Sequence, residues 1–354
     1  MKKLLIKGGK KLTGEIKISG AKNSVVALIP AAILSDNIVT LYNVPNISDT
    51  NALINIIKLL NGQVTYEDET MIIDSSKIEN KVIPEELSQK LRASYYFMGA
   101  LLSKFKYAEM YFPGGCNIGS RPIDFHISGF QKMGAEVSVE GNKYIIKAKK
   151  LHGADIYLDF ASVGATINLM LAAVKADGET NIYNAAKEPE IVNIATLLNN
   201  MGAKIIGAGT SEIKIKGVET LGSGVIDVIP DRIEAGTYLI IGALLGKDLT
   251  ISGIIEEHLD FDDAMCYENL VVSNLKLIST VYEMYKSMDS DDEEVFKNNS
   301  ELYENRIAPF IDNYEIMKDE KGVSTFFNVM TLILIGTILL IGITIFLISK
   351  ANFW

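Results

Sequence analysis

Three amphipathic stretches recur along the first two hundred residues, and each stops at a glycine. Asp49 to Asn61 puts Leu53, Ile56, Ile57 and Leu60 on one helical face before Gly62. Asp124 to Met133 aligns Ile127, Phe130 and Met133 before Gly134, and Glu190 to Met201 aligns Ile191, Ile194, Leu197, Leu198 and Met201 before Gly202. The stops lie 72 and 68 residues apart. A left-handed glycine ends a helix without a Cβ clash. After each stop comes a short run of β character: Gln63-Val-Thr-Tyr66, Ala135-Glu-Val-Ser-Val139 and Ala203-Lys-Ile-Ile206. The pattern predicts a repeat of helix, turn and strand with a period of about 70 residues.

A second helix precedes each amphipathic one, and it is apolar all round: Ala21 to Leu34, Arg92 to Ser103 and Gly164 to Ala176. Helices without a polar face are buried ones. A fourth copy starts with a helix from Gly236 to Leu245 and a strand, Asp248-Leu-Thr-Ile-Ser-Gly-Ile254. No further glycine-terminated helix follows, so the repeat is read as broken after Asp260. The prediction is three complete units and part of a fourth.

From Phe261 the sequence is acidic and favours helix, with apolar positions at Leu270, Val271, Leu275, Leu277, Ile278 and Val281 and a charged run, Asp289-Ser-Asp-Asp-Glu-Glu294. It reads as a solvated spacer of amphipathic helix. Then Phe326 to Ser349 gives 24 positions without a charge, between Lys321 and Lys350. At ~1.5 Å per residue such a helix covers the ~30 Å hydrocarbon core of a bilayer. Residues 326–349 are therefore expected to span a membrane.

Composition supports the division. Of 28 glycines, 25 precede Ile254, and none lies between Ile254 and Lys321. The net charge of −10 is also localised, because residues 261–325 hold 15 Asp and Glu against 6 Lys and Arg. The remainder is near neutral and lacks the basic field that nucleic-acid binding needs. The two cysteines, Cys116 and Cys266, cannot build a disulfide framework, and the N-terminus meets charge and glycine before any apolar signal core forms. A reducing, cytoplasmic setting is expected for the N-terminal part.

The segment Pro113-Gly-Gly-Cys-Asn-Ile-Gly-Ser-Arg-Pro-Ile-Asp124 sets a cysteine in a glycine-rich loop ahead of a helix. A lone cysteine is more often a small buried hydrophobe. Here the glycines leave the side chain exposed, and both Arg121 and the helix N-terminus favour a thiolate or an anionic ligand.

This loop resembles the cysteine loop of the UDP-N-acetylglucosamine 1-carboxyvinyltransferases, which are enolpyruvyl transferases. The resemblance continues through Gly20-Ala-Lys-Asn-Ser24, Leu91-Arg-Ala-Ser94, Ser162-Val-Gly-Ala-Thr166, Asn184-Ala-Ala-Lys-Glu-Pro-Glu190 and Pro230-Asp-Arg-Ile-Glu-Ala-Gly236, over residues 1–260. It implies an α/β fold, the inverted α/β barrel of that family. Residues 22–229 would form the catalytic domain of three repeats, and 1–21 with 230–260 part of a second domain. The helical segment 261–325 and the membrane span 326–349 would follow.

The resemblance also implies a reaction: enolpyruvyl transfer from phosphoenolpyruvate to the 3-hydroxyl of UDP-N-acetylglucosamine, the entry to peptidoglycan synthesis and so to cell-wall formation. Cys116 matches the proton donor, which can also carry a phosphoenolpyruvate adduct. Lys22, Arg92 and Arg121 match the cationic groups, and Asn23 a substrate-binding residue. Arg121, Pro122, Ile123, Asp124 and Phe125 match the segment holding the uridine end, and Ser162, Val163 and Gly164 the donors to the diphosphate. The related enolpyruvylshikimate phosphate synthases lack a cysteine at the loop position. No cofactor and no metal is implied. The departure is on the other side of the site, because the family's second domain supplies the carboxylate base and further arginines, and no motif after Asp260 matches that base. An alternative therefore stands beside the enzyme: a membrane-tethered nucleotide-sugar-binding remnant or fusion product. The tail makes one expectation testable. After alkaline carbonate extraction the full-length chain should stay in the membrane pellet and a version ending at residue 325 should be released; a soluble full-length chain would refute the span.

Overall fold

Three helices without a polar face form the centre of the unit Ile18–Arg232. In the computed structural model, which describes residues 11–114 and 123–259, helix α1 (Lys22–Ala32) is buried from Ser24 to Ala32. Helix α4 (Tyr96–Phe105) is buried from Tyr96 to Ser103, and α6 (Val163–Ala173) from Ala165 to Ala173. α4 lies against α6, and α1 against α4. A shell of amphipathic helices covers them: α2 (Ser48–Leu59), α5 (Asp124–Lys132) and α7 (Pro189–Asn200), with a short α3 at Glu85–Ser88.

Three sheets complete the layer outside. The first takes β2 (Ile38–Tyr42), β3 (Gln63–Glu67) and β4 (Thr70–Asp74); the second β5 (Tyr107–Tyr111), β6 (Glu136–Glu140) and β7 (Lys143–Lys147); the third β8 (Asp155–Tyr157), β9 (Glu179–Tyr183), β10 (Lys204–Ile206) and β11 (Glu212–Lys216). The third has the order β10-β11-β9-β8, with β8 parallel to β9 and the rest antiparallel. The first follows the same plan with a substitution. Its parallel strand is β12 (Gly224–Asp227), which pairs with β2 in the register Gly224↔Val39 to Asp227↔Tyr42. Equivalent asparagines mark the repeat: Asn43 after β2 and Asn184 after β9 both have φ 55°, and each donates its amide at 2.9 Å to the parallel neighbour, at Val228 O and Leu158 O.

The chain divides into two units, one of Ile18–Arg232 and the other of the segments up to Lys17 and from Ile233 onward; the family resemblance puts these crossings after residues 21 and 229. In the second unit β1 (Leu12–Lys17) runs parallel to β13 (Gly246–Ser252), which follows α8 (Arg232–Leu245). Ser252 Oγ donates to Glu15 Oε1 at 2.9 Å.

Several local expectations change. Each amphipathic helix is followed by a hairpin rather than one strand, because Asp68 and Glu69 (φ 45° and 58°) and Gly141 (φ 61°) turn the chain back. Gly134 and Gly202 are left-handed (φ 92° and 103°), but after α2 the left-handed residue is Asn61 (φ 69°). Gly62 is needed for space, since a Cβ there would strike Ile57 and Ile78. The expected helix Arg92 to Ser103 begins as a 3₁₀ turn, Arg92–Tyr95, and becomes α-helical at Tyr96. The fourth helix of this kind starts at Arg232, ahead of the expected Gly236, and among its described side chains it is not buried: Ala235 is covered, but Ile233 and Leu239 are exposed. The span 326–349 and the spacer 261–325 lie outside the described residues; among the described residues no helix is long and apolar enough to cross a membrane.

Ser19–Lys22 and Ile229–Asp231 are clasped together. Gly20 bridges Pro230, Ala21 N–H donates to Ile229 O at 2.7 Å, and Asp231 N–H donates to Ser19 O at 2.9 Å. A Cβ on Gly20 would overlap the backbone carbonyl of Asn43. Gly20→Ala should therefore destabilise the chain by about 2–3 kcal/mol. Gly236→Ala, with open space in α8, should stabilise by about 0.5–1 kcal/mol. Urea unfolding of both variants checks the contrast, and equal effects would contradict it.

Candidate functional site

The start of α6 supplies backbone donors. Ser162 is its N-cap: the hydroxyl accepts from Ala165 N–H at 3.3 Å, and the carbonyl accepts from Thr166 N–H at 2.9 Å. The N–H groups of Val163 and Gly164, in the first turn, have no acceptor within the helix, and with the helix dipole they favour an anion. Gly164 is required by its neighbours, since a Cβ there would lie 2.6 Å from Tyr95 Oη and 3.4 Å from His126 Cε1.

Those two side chains lead to a cation. The Arg92 guanidinium lies 5.8 Å over the Tyr95 ring, a cation–π distance, and the Tyr95 and His126 rings meet edge to face at 4.9 Å. His126 is 5% exposed. Burial first, and the Arg92 charge second, push its pKa down to about 3, so the ring is neutral. Its Nδ1 lies 2.9 Å from Asn168 Nδ2. An amide nitrogen can only donate, so the assigned tautomer carries its hydrogen on Nε2.

Around this centre the structure places the other expected residues. Ile123 is buried ahead of α5, Asp124 is exposed in its first turn, and Phe125 meets Phe160 edge to face at 4.7 Å. Lys22 is the first residue of α1; its backbone N–H donates to Asp231 Oδ2 at 3.1 Å, and its side chain is exposed beside half-buried Asn23. α1 packs against the 3₁₀ turn that carries Arg92. Cys116, Arg121 and Pro122 lie outside the described residues. Just before them the chain is pinned by Gly114 N–H donating to Ser88 O at 3.0 Å.

One pair was not singled out from the sequence. The Glu190 carboxylate, 3% exposed, holds Arg232 Nε at 3.3 Å. Burial, with Tyr95, Glu190 and Glu188 close by, pushes the Tyr96 hydroxyl well up. Both residues stand in motifs that resemble the transferases, but nothing in their spacing shows that residues 190 and 232 meet.

The described geometry groups a helix N-terminus, a tyrosine under an arginine, and a neutral histidine, and comparison with known proteins gives the chain a family. The family model for EPSP synthase (3-phosphoshikimate 1-carboxyvinyltransferase) matches residues 6–285. The chain belongs to the EPSP synthase family. The match runs past Asp260, beyond where the repeat pattern alone was read to break. A relative from Bacillus cereus named UDP-N-acetylglucosamine 1-carboxyvinyltransferase 2 is 54% identical over 261 residues, covering 73% of this chain and 61% of that protein. One of the same name from Oceanobacillus iheyensis is 49% identical over 296 residues, 84% of this chain and 66% of its own length. The chain thus spans less than two thirds of these relatives. Among solved structures, the enolpyruvyl transferase NikO from Streptomyces tendae superposes with a TM-score of 0.63 at 25% identity, covering 69% of this chain and 58% of NikO. An EPSP synthase from Acinetobacter baumannii, at 17% identity and TM-score 0.53, covers 69% of this chain and 56% of its own and shares the fold.

The buried histidine links this family site to stability. Its folded pKa, about 3, lies below the unfolded 6.5, so the unfolded state binds the extra proton between those values. The contribution of neutral His126 is complete above pH 6.5 and declines as pH falls toward 3. Its slope is about 1.4 kcal/mol per pH unit inside that window. Unfolding free energy measured from pH 7 to 4 should fall less steeply in His126→Gln than in the wild type; parallel curves would show that the ring is not buried neutral.

Proposed function

We propose that this chain acts in enolpyruvyl transfer from phosphoenolpyruvate to UDP-N-acetylglucosamine, the first committed step toward peptidoglycan. The observation that carries the reading is the start of α6, with Tyr95 and His126 against Gly164 and Arg92 over the Tyr95 ring. In support, several relatives at 49–54% identity carry that enzyme's name.

In this reading the diphosphate lies at Ser162, Val163 and Gly164, and the uridine against Arg121, Pro122, Ile123, Asp124 and Phe125. Lys22, Asn23, Arg92 and Arg121 hold the phosphate and carboxylate of phosphoenolpyruvate. The sugar 3-hydroxyl oxygen bonds to C2 of phosphoenolpyruvate as Cys116 delivers a proton to C3, and a base takes the hydroxyl proton. The tetrahedral adduct then loses a C3 proton and phosphate, and the vinyl ether remains. The reaction belongs to the cytoplasm, with the apolar segment 326–349 tethering the chain to a membrane.

A second reading rests on the sequence after Asp260, where no motif matches the family's carboxylate base: a nucleotide-sugar-binding chain without turnover. Calorimetry with UDP-N-acetylglucosamine and a phosphate-release assay with both substrates separate the two. Turnover within about tenfold of an ordinary ~10 s⁻¹ enzyme, lost in Cys116→Ala, supports the transferase. Nucleotide binding without release supports the second reading, and no binding to a folded chain refutes both.

A further inference from the structure

Asn168 stands in the middle of α6, wholly buried, where Thr166 is the one other buried polar side chain of the helix. A buried carboxamide is costly unless each of its groups is bonded. Here all are. Oδ1 accepts from Gly99 N–H at 2.8 Å, and Nδ2, with two hydrogens, donates to Tyr95 O at 2.9 Å and to His126 Nδ1 at 2.9 Å.

The choice of backbone partners matters. Tyr95 C=O and Gly99 N–H are separated by four residues, the pair that bond each other in an α-helix. Asn168 spans that pair with one side chain, at the point where the 3₁₀ turn Arg92–Tyr95 gives way to α4. Bonds from a neighbouring helix to both ends of this first α-helical turn hold in place the point where α4 begins, and with it the Arg92–Tyr95 turn just before it. Gly99 makes the approach possible, since a Cβ there would collide with the Asn168 backbone and side-chain oxygens.

We infer that Asn168 is a positioning residue for the anion site, setting the Arg92–Tyr95 turn on one helix and the His126 ring on a second from the helix that carries Ser162–Gly164. This rests on the nucleotide-sugar reading for the ligand, but the placement stands on the three hydrogen bonds. The chemistry requires an amide. An aspartate presents acceptors to Tyr95 O and His126 Nδ1, which are themselves acceptors. The histidine must then move its hydrogen to Nδ1 or take a second proton, and Tyr95 O loses the amide donor from α6. An apolar residue leaves the Gly99 N–H, Tyr95 O and His126 Nδ1 without these partners.

The test uses the full chain labelled with ¹⁵N-histidine and ¹⁵N-arginine. In the wild type, long-range ¹H–¹⁵N spectra at neutral pH should show His126 with its hydrogen on Nε2. In Asn168→Asp the signal should change to the Nδ1–H form or to imidazolium, and the Kd for UDP-N-acetylglucosamine should rise at least tenfold. Ser75→Ala, which removes the buried bond to Ala32 O, is the control for plain destabilisation and should leave both readouts unchanged. If Asn168→Asp does not fold, Asn168→Ser takes its place, with the same rise in Kd expected. A wild-type ring with hydrogen on Nδ1, or an Asn168 variant that binds with unchanged affinity, overturns the inference. If the wild type gives no heat with the nucleotide sugar while folded, the proposed ligand is wrong. The placement by Asn168 is then judged on the histidine signal and on the Arg92 Nε–H resonance, which should move in the Asn168 variant and not in Ser75→Ala.

Discussion

The close approach of α6 to its neighbours is the constraint on which the site depends. Gly99 of α4 faces the Asn168 backbone and carboxamide, Gly129 of α5 faces Leu169, and Gly164 of α6 faces Tyr95 and His126; in each case a Cβ would overlap the facing group. Glycine here gives proximity rather than flexibility. With the helices this close, one carboxamide can bond to both neighbours, and the Tyr95 ring touches both the His126 ring and the space at Gly164 while the Arg92 guanidinium lies over its face. Packing in this core is therefore also the means by which polar groups are aimed.

Polar order and apolar burial reinforce each other. Three side-chain amides that reach across the fold end on backbone carbonyls: Asn43 on Val228, Asn184 on Leu158, Asn193 on Asp227. These bonds lie where parallel strands or loops of different repeats adjoin, places where an unpaired carbonyl would be expensive. They give the repeats a defined register that apolar contacts alone would leave loose.

Much of the architecture was legible in the periodicity. The three amphipathic helices, the buried helices preceding them and the period of the repeat follow from where Leu, Ile and Gly fall, because both signals are local. The hairpins were harder: Thr70–Asp74 alternates correctly, with Met71 and Ile73 inward, but its turn uses Asp68 and Glu69, and neither residue announces a left-handed conformation. At the site, the backbone donors of α6 and the run around Asp124 could be marked from motifs. The roles of Asn168 and of the Glu190–Arg232 pair could not, since each depends on which helices touch. An asparagine within Thr166-Ile-Asn-Leu-Met170 reads as a blemish in an apolar run until its three partners are known.

The pairing of β12 with β2 has a consequence for how the chain is made. The third sheet closes within residues 155–216 and the second within 107–147. The first cannot close until Gly224–Asp227 has left the ribosome, 153 positions after Asp74, where its other strands end. At ~5–20 residues per second that is a wait of roughly 8–30 s. Throughout it one edge of β2, with alternating buried Val39 and Leu41, has no native partner. The repeat that is earliest in sequence is thus the last of the three to be completed during synthesis.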